Sequence, residues 1–148
     1  MALYYLETSA LVKLYVRESG TDTLLRLASS EAGHRLVILA FAVVEFRSAI
    51  RRRERANDLG GSAARQLIQR LDAHTETRFL TQPLNDTVIE HALRLVDRYP
   101  LRAYDAVQLA GCVVLGASGG DQPIFVCADE ALIAAAESEG IPSLSPTS

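Results

Sequence analysis

Short apolar runs that pass directly into helical periodicity constrain this chain more than any other feature. Leu3–Leu6, Arg35–Leu39 and residues 124–128 have strand length, and each is followed by apolar residues at helix spacing. Strands joined through helices return to the sheet in parallel, whereas antiparallel neighbours need only a tight turn. The alternation implies an α/β fold of three layers, α/β/α, with a central, mostly parallel sheet and helices on both faces. In such folds ligands bind beyond the carboxyl ends of the strands.

The other segments fit this plan. Residues 8–16 read as a helix, with Ala10, Leu11, Leu14 and Tyr15 at its spacing. Gly20-Thr21-Asp22 breaks the chain and opens a second helix to about Ser30. Residues 41–56 are helical, with Phe41, Val44, Ala49 and Ile50 on one side. After the loop at residues 57–61, Ser62 is the expected cap of a helix to about Thr75. A weak strand over 78–81 precedes Pro83, and Asp86 is the expected cap of a helix that Tyr99-Pro100 ends. Residues 103–115 form a nearly all-apolar helix, residues 129–140 a last helix closed by Gly140, and residues 142–144 an edge strand.

A chain of 148 residues has the length of one domain, so residues 1–148 read as a single unit. Its 49% hydrophobic and 22% charged residues match a soluble globular protein. No apolar run approaches the ~18 residues of a membrane span, and the apolar start is interrupted at once by Glu7, unlike a signal peptide. Cys112 and Cys127 sit in apolar runs without metal-ligand spacing and read as reduced and buried, as in a cytoplasmic protein. A net charge of −3 argues against gripping nucleic acid by bulk charge, but not against reaching a phosphate through a bound cation.

Four acidic residues do not fit a solvated surface. Glu7 and Asp129 follow strands at their carboxyl ends, where an α/β sheet places its chemistry. Glu45 shares a helix face with Phe41 and Ala49, and Asp105 shares one with Leu101 and Leu109. An unpaired carboxylate on an apolar face costs several kcal/mol. Four meeting at one place repel each other unless a divalent cation lies between them. Hard cations such as Mg²⁺ and Mn²⁺ take oxygen ligands and suit phosphoryl chemistry. Each acid also has a local reading: Glu7 and Asp129 as helix caps, Glu45 as a partner of Arg47 or another arginine, Asp105 bonded to the loop before its helix.

Around these acids the chain resembles a known family. Leu6-Glu7-Thr8-Ser9-Ala10-Leu11-Val12-Lys13-Leu14-Tyr15, Val44-Glu45-Phe46-Arg47-Ser48-Ala49-Ile50, Arg102-Ala103-Tyr104-Asp105-Ala106-Val107-Gln108-Leu109-Ala110 and Ala128-Asp129-Glu130-Ala131-Leu132 resemble, in order, the acidic motifs of PIN-domain ribonucleases of the VapC toxin type. The resemblance implies that Glu7, Glu45, Asp105 and Asp129 converge on one or two Mg²⁺ or Mn²⁺ ions and hydrolyse RNA. It also implies Ser9 as a supporting hydroxyl, a cognate antitoxin as partner, and a homodimer. Helix capping is an equal reading of Ser9 and Thr8.

One departure stands out. The family ordinarily has Asp where this chain has Glu7, whose extra methylene moves the carboxylate by ~1.5 Å. Weaker activity, or a shift from Mg²⁺ towards the more permissive Mn²⁺, is the expected consequence. Cys127 stands where the family often has Ser or Thr. Arg47, Arg51, Arg52, Arg53 and Arg55 read as a solvated face, an RNA-steering patch or an antitoxin contact. Leu14, Tyr15, Leu24 and Leu25 on the early helices are candidates for the antitoxin surface, and the sequence alone does not separate them from core residues. Two rivals remain: a catalytically weak or inactive PIN-like module that binds RNA or protein, favoured by Glu7, and a phosphoacceptor switch domain. The second lacks the lysine it needs at a later strand end, since Lys13 lies in the first helix.

Overall fold

A computed structural model describes residues 1–146. Among these residues the chain forms five strands and seven α-helices in the order β1 (Leu3–Leu6), α1 (Thr8–Lys13), α2 (Thr21–Ala28), β2 (Arg35–Leu39), α3 (Ala40–Arg55), α4 (Gly61–Thr77), β3 (Phe79–Gln82), α5 (Asp86–Arg98), α6 (Ala103–Ala117), β4 (Ile124–Val126), α7 (Glu130–Ser138) and β5 (Ser143–Leu144). A short 3-10 helix, Ser30–Ala32, separates α2 from β2. The strands lie in the order β3-β2-β1-β4-β5, and every neighbouring pair is parallel.

Alternation along the strands feeds two cores, because successive side chains point to opposite faces. Leu3, Tyr5, Val37, Leu39 and Phe125 pack on one face against α5, α6 and α7. Leu6, Leu36, Ile38, Phe79 and Val126 pack on the other against α1 to α4. The expected three layers are present. From β1 the chain builds outward through β2 and β3, then crosses back to place β4 on the other side of β1. The carboxyl ends of β1 and β4 therefore flank the point where strand order reverses, the usual ligand crevice of an open parallel sheet.

Several boundaries and faces differ from the sequence-based expectation. The first helix ends at Lys13 rather than residue 16, because Tyr15 and Val16 both donate to the Val12 carbonyl and close the turn. Gly20 then takes φ 95°, and any Cβ there would overlap the Pro146 carbonyl. On α3 the buried side is Ala42, Phe46, Ala49 and Ile50, while Val44 is 61% exposed. A four-residue apolar stretch from Phe41 to Val44 has no polar residue to mark which side faces out. Of the candidates for the antitoxin surface, Leu24 is wholly buried and Leu25 is exposed. The caps also move: Gly60 precedes α4 in place of Ser62, and Asn85 caps α5 by accepting from Val88 N at 3.0 Å, with Asp86 in the first turn.

Candidate active site

Each of the four acids is placed by an element end or by a helix crossing the sheet edge. Glu7 directly follows β1, and its backbone N–H donates to the Val126 carbonyl of β4 (3.0 Å). It caps α1: Glu7 Oε1 accepts from the Ser9 backbone N–H (3.1 Å) and from the Ser9 hydroxyl. The same Ser9 oxygen accepts from Ala128 N (3.0 Å), which ties the turn after β1 to the turn after β4. Ser9 therefore braces both ends of the crevice, and Glu7 does serve as the helix cap that its position suggested.

Glu45 comes from α3 and is partly buried. Its Oε1 accepts from the Thr8 hydroxyl (2.8 Å) and from Gln108 Nε2 (2.6 Å). Gln108 Nε2 also donates to Thr8 Oγ1 (2.9 Å), and the Tyr5 hydroxyl donates to the Gln108 carbonyl (2.7 Å). Burial holds the Tyr5 hydroxyl well above the ordinary tyrosine range, with Cys112, Glu7 and Glu45 adding to it, so the hydroxyl stays a donor. Asp129 caps α7, its Oδ1 accepting from Ala131 N (2.9 Å) and Leu132 N (3.2 Å). Asp105, in the first turn of α6, is half-buried and has no hydrogen-bond partner among the described residues.

Electrostatic influence links the acids in pairs rather than as one cluster, and Asp105 and Asp129 do not line the cleft that Glu7 and Glu45 share. Burial pushes Glu7 above the usual glutamate range; Ser9 and Cys127 pull it back by hydrogen bonding, and the Glu45 charge pushes it up again. Burial likewise raises Asp105, helped by the charges of Asp129 and Glu45 and opposed by Arg102. Glu7 thus feels Glu45, and Asp105 feels both Glu45 and Asp129. Among the described residues no Lys, Arg or His forms an ion pair with any of the four. The expected Arg47–Glu45 pair is absent, Arg47 reaching Asp72 instead (3.3 Å).

Glu7 and Glu45 open onto a cleft of about 720 Å³ whose wall includes Lys13, Arg52, Arg53, Arg102 and Tyr104. Only two of the five clustered arginines reach it. Arg51 is paired with Glu54 (2.9 Å), and Arg55 lies exposed. Glu18, also in the wall, bridges Lys13 (3.2 Å) and Arg53 (3.3 Å). Arg102 donates to the Tyr104 hydroxyl (2.8 Å) immediately before Asp105.

Whether such a set suits Mg²⁺ or Mn²⁺ depends on the donors. All four are carboxylates, the hard oxygen ligands these ions take, and among the described residues none forms an ion pair with a base. Among the described residues no three His, Cys, Asp or Glu side chains are gathered tightly enough to enclose an ion. The two carboxylates on one cleft, Glu7 and Glu45, are a set that Mg²⁺ can use, since it usually keeps several waters and binds through one or two carboxylates plus a substrate phosphate.

Sequence reasoning missed three positions: Thr8 as more than a cap, Gln108 and Tyr5. The available signal was Gln108 itself, a polar side chain in a nearly all-apolar helix, which must find partners when buried. Cys112 and Cys127 are both buried and unpaired, as expected. The histidines gather no site; His74, for example, meets the Tyr15 hydroxyl at 2.6 Å.

Compared with known proteins, residues 4–138 match the PIN domain family. No curated protein matches the chain. Among solved structures, a chain of VapBC2 from Rickettsia felis, bound to a DNA fragment from its promoter, superposes with TM-score 0.65 at 12% identity, covering 97% of this chain and 98% of that one. A toxin–antitoxin complex from Klebsiella pneumoniae gives TM-score 0.66 at 16% identity, with 97% of both chains covered. PAE2754 from Pyrobaculum aerophilum gives 0.61 at 21% identity, over 96% of this chain and 83% of that one.

Proposed function

This chain belongs to the PIN domain family, and from that premise we propose that it is a metal-dependent endoribonuclease, the VapC-type toxin of a toxin–antitoxin pair. The observation that supports the reading is that Glu7 and Glu45, without an ion pair to a basic residue among the described residues, line the cleft at the switch point of a parallel sheet, and that Asp105 feels the charges of Asp129 and Glu45. Glu7, Glu45, Asp105 and Asp129 would hold Mg²⁺ or Mn²⁺. A divalent ion there supplies an activated water and stabilises the charge that develops on the phosphoryl group.

The chain's own side chains do the rest. Ser9 fixes the Glu7 carboxylate through two hydrogen bonds. Arg52, Arg53 and Arg102 line the cleft and draw the RNA phosphates towards the acids against the net charge of −3. Partners follow from the same reading: a cognate antitoxin on the helices beside the cleft, where Leu25 is exposed and Leu14 and Tyr15 half-exposed, and a second copy of the chain. For the second copy, α5 offers Ile89, Leu93 and Val96, an exposed apolar stripe at helix spacing. Among the described residues no helix is long and apolar enough to cross a membrane. A cytoplasmic location belongs to the toxin reading proposed here and rests on it.

A second reading, a catalytically weak module that binds RNA or protein, is favoured by Glu7. Its carboxylate is engaged by Ser9 as the cap of α1 while it lines the cleft, and the extra methylene changes its reach. One experiment separates the two. The purified protein is incubated with a mixed tRNA and ribosomal RNA pool in Mg²⁺, in Mn²⁺ and in chelator. Metal-dependent cleavage at discrete positions supports the nuclease. RNA binding without turnover, in both native and Glu7→Asp proteins, transfers the bet to the binding module.

A further inference from the structure

The most completely buried polar side chain near the acids is Gln108, with no exposure at all. It sits on the sheet-facing side of α6, one turn past Asp105. Its amide nitrogen makes two hydrogen bonds, 2.6 Å to Glu45 Oε1 and 2.9 Å to Thr8 Oγ1, and Thr8 donates to the same Glu45 oxygen at 2.8 Å. Three residues from three elements thus close a triangle. One corner is a single carboxylate oxygen of Glu45, so the other oxygen is free to face the cleft that Glu45 lines.

The fold is shaped to keep that triangle in place. The Tyr5 hydroxyl anchors the Gln108 backbone at 2.7 Å from inside the sheet. Gly111, one turn further along α6, makes room for it: a Cβ there would collide with the Tyr5 hydroxyl and lie 2.8 Å from Leu39 Cδ1. A buried amide with no role beyond packing would be exchangeable for leucine at little cost, because removing both partners of a buried hydrogen bond is nearly neutral. Here one partner is a carboxylate that must remain, so the amide sets its direction.

We propose that Gln108 and Thr8 are positioning residues that lock one oxygen of Glu45 and thereby aim the other at the divalent cation. The proposal rests on the metal-dependent reading above, which it deepens. Outer-shell partners of this kind typically carry 10- to 100-fold in metal affinity or activity.

The test uses the full chain and the variants Gln108→Leu, Thr8→Val and Thr8→Ser. Mn²⁺ affinity is measured by electron paramagnetic resonance, RNA cleavage as kcat and KM separately, and folding by circular dichroism and Tm. Gln108→Leu is expected to weaken Mn²⁺ binding and kcat about 10- to 100-fold, and Thr8→Val about tenfold. KM for RNA stays within about twofold, and Thr8→Ser, which keeps the hydroxyl, restores both values. If Gln108→Leu does not fold, the Thr8→Val and Thr8→Ser pair decides alone. Folded variants with native Mn²⁺ affinity and kcat overturn the positioning role while leaving the nuclease intact. A native chain that binds Mn²⁺ without cutting RNA overturns the nuclease, and the Mn²⁺ affinities of the variants still decide the positioning role. A native chain that neither binds Mn²⁺ nor cuts RNA overturns both.

Discussion

Glu7 and Glu45 belong to the side of the sheet packed by α1 to α4, and in each one carboxylate oxygen is held by two donors. Asp105 and Asp129 open α6 and α7 on the other side, one with no hydrogen-bond partner among the described residues and the other held only by backbone N–H groups of its own helix. In the first pair Glu45 is fixed by contacts that span the fold, and Glu7 by Ser9, which is itself tied across to Ala128. In the second, Asp129 is held by its own helix and Asp105 has no hydrogen bond to hold it among the described residues. A site built this way takes its precision from one half and its responsiveness from the other.

The sharpest way to break this comparison is to neutralise the unbraced acid. Asp105→Asn keeps the shape of the side chain and removes the charge that Asp129 and Glu45 oppose. RNA cleavage in Mg²⁺ is expected to fall by about two to three orders of magnitude, with Tm unchanged or raised, since the repulsion disappears. A variant with more than about a tenth of native turnover would remove Asp105 from the metal site.

Asp129 separates capping from chemistry. Asn caps a helix as well as Asp, whereas Ala costs about 1 kcal/mol. Asp129→Asn should therefore keep the native Tm and lose about tenfold in cleavage, while Asp129→Ala loses both. Equal activity in native and Asp129→Asn proteins would reduce Asp129 to a cap. Glu7→Asp addresses the braced half. Aspartate also caps helices well, as Asp129 does, and at position 7 it brings the charge ~1.5 Å nearer its own backbone. We expect the ratio of Mg²⁺-supported to Mn²⁺-supported turnover to rise about fivefold, because octahedral Mg²⁺ is the less tolerant ion. An unchanged ratio would mean that Glu7 already holds its oxygen where the ion needs it.

Proton linkage offers a gentler probe. Glu7 and Asp105 both have raised values in the folded state, burial being the first cause for each. Such groups bind their protons more tightly folded than unfolded. Their contribution to stability is fully present below the unfolded carboxylate range and is lost as pH rises through the raised folded values. Metal-free protein should therefore grow less stable to urea across that window. Glu7→Gln and Asp105→Asn should each flatten the slope, and saturating Mg²⁺ should reverse it. A slope unaffected by either substitution would show that neither acid is strained in the absence of metal.

The sequence made the responsive half more legible than the precise half. Acids at strand ends and helix starts announce themselves, because Asp129 after a strand or Asp105 among Ala103, Ala106 and Leu109 breaks an apolar pattern locally. The layers were legible too, since every strand is separated from the next by helical periodicity. What braces Glu45 was not legible: Thr8, Gln108 and Tyr5 are joined by contacts up to 103 residues apart, and nothing within one segment encodes them. The misread faces have the same origin. Val44 and Leu24 lie in apolar stretches where only the neighbouring layer decides which residue is covered.

Cys127 lies on the seam between the halves, and the smallest effect is expected there. Its thiol donates to the Asp129 carbonyl at 3.8 Å and accepts from Asp129 N at 3.3 Å. A buried thiol is a weak donor, and burial pushes its titration well above the ordinary cysteine range, so it contributes a neutral contact and no charge. Cys127→Ser replaces it with a shorter, stronger donor. Alone, the change should alter turnover by less than about threefold and stability by about 1 kcal/mol or less. Combined with Glu7→Asp, it tests whether the halves communicate. Effects that add within about 0.5 kcal/mol would mean that each half is set independently. We expect a larger departure, because the hydroxyl would contact both a Glu7 carboxylate held by Ser9 and the backbone that aims Asp129. Strict additivity would confine the coupling between the halves to the cation they share.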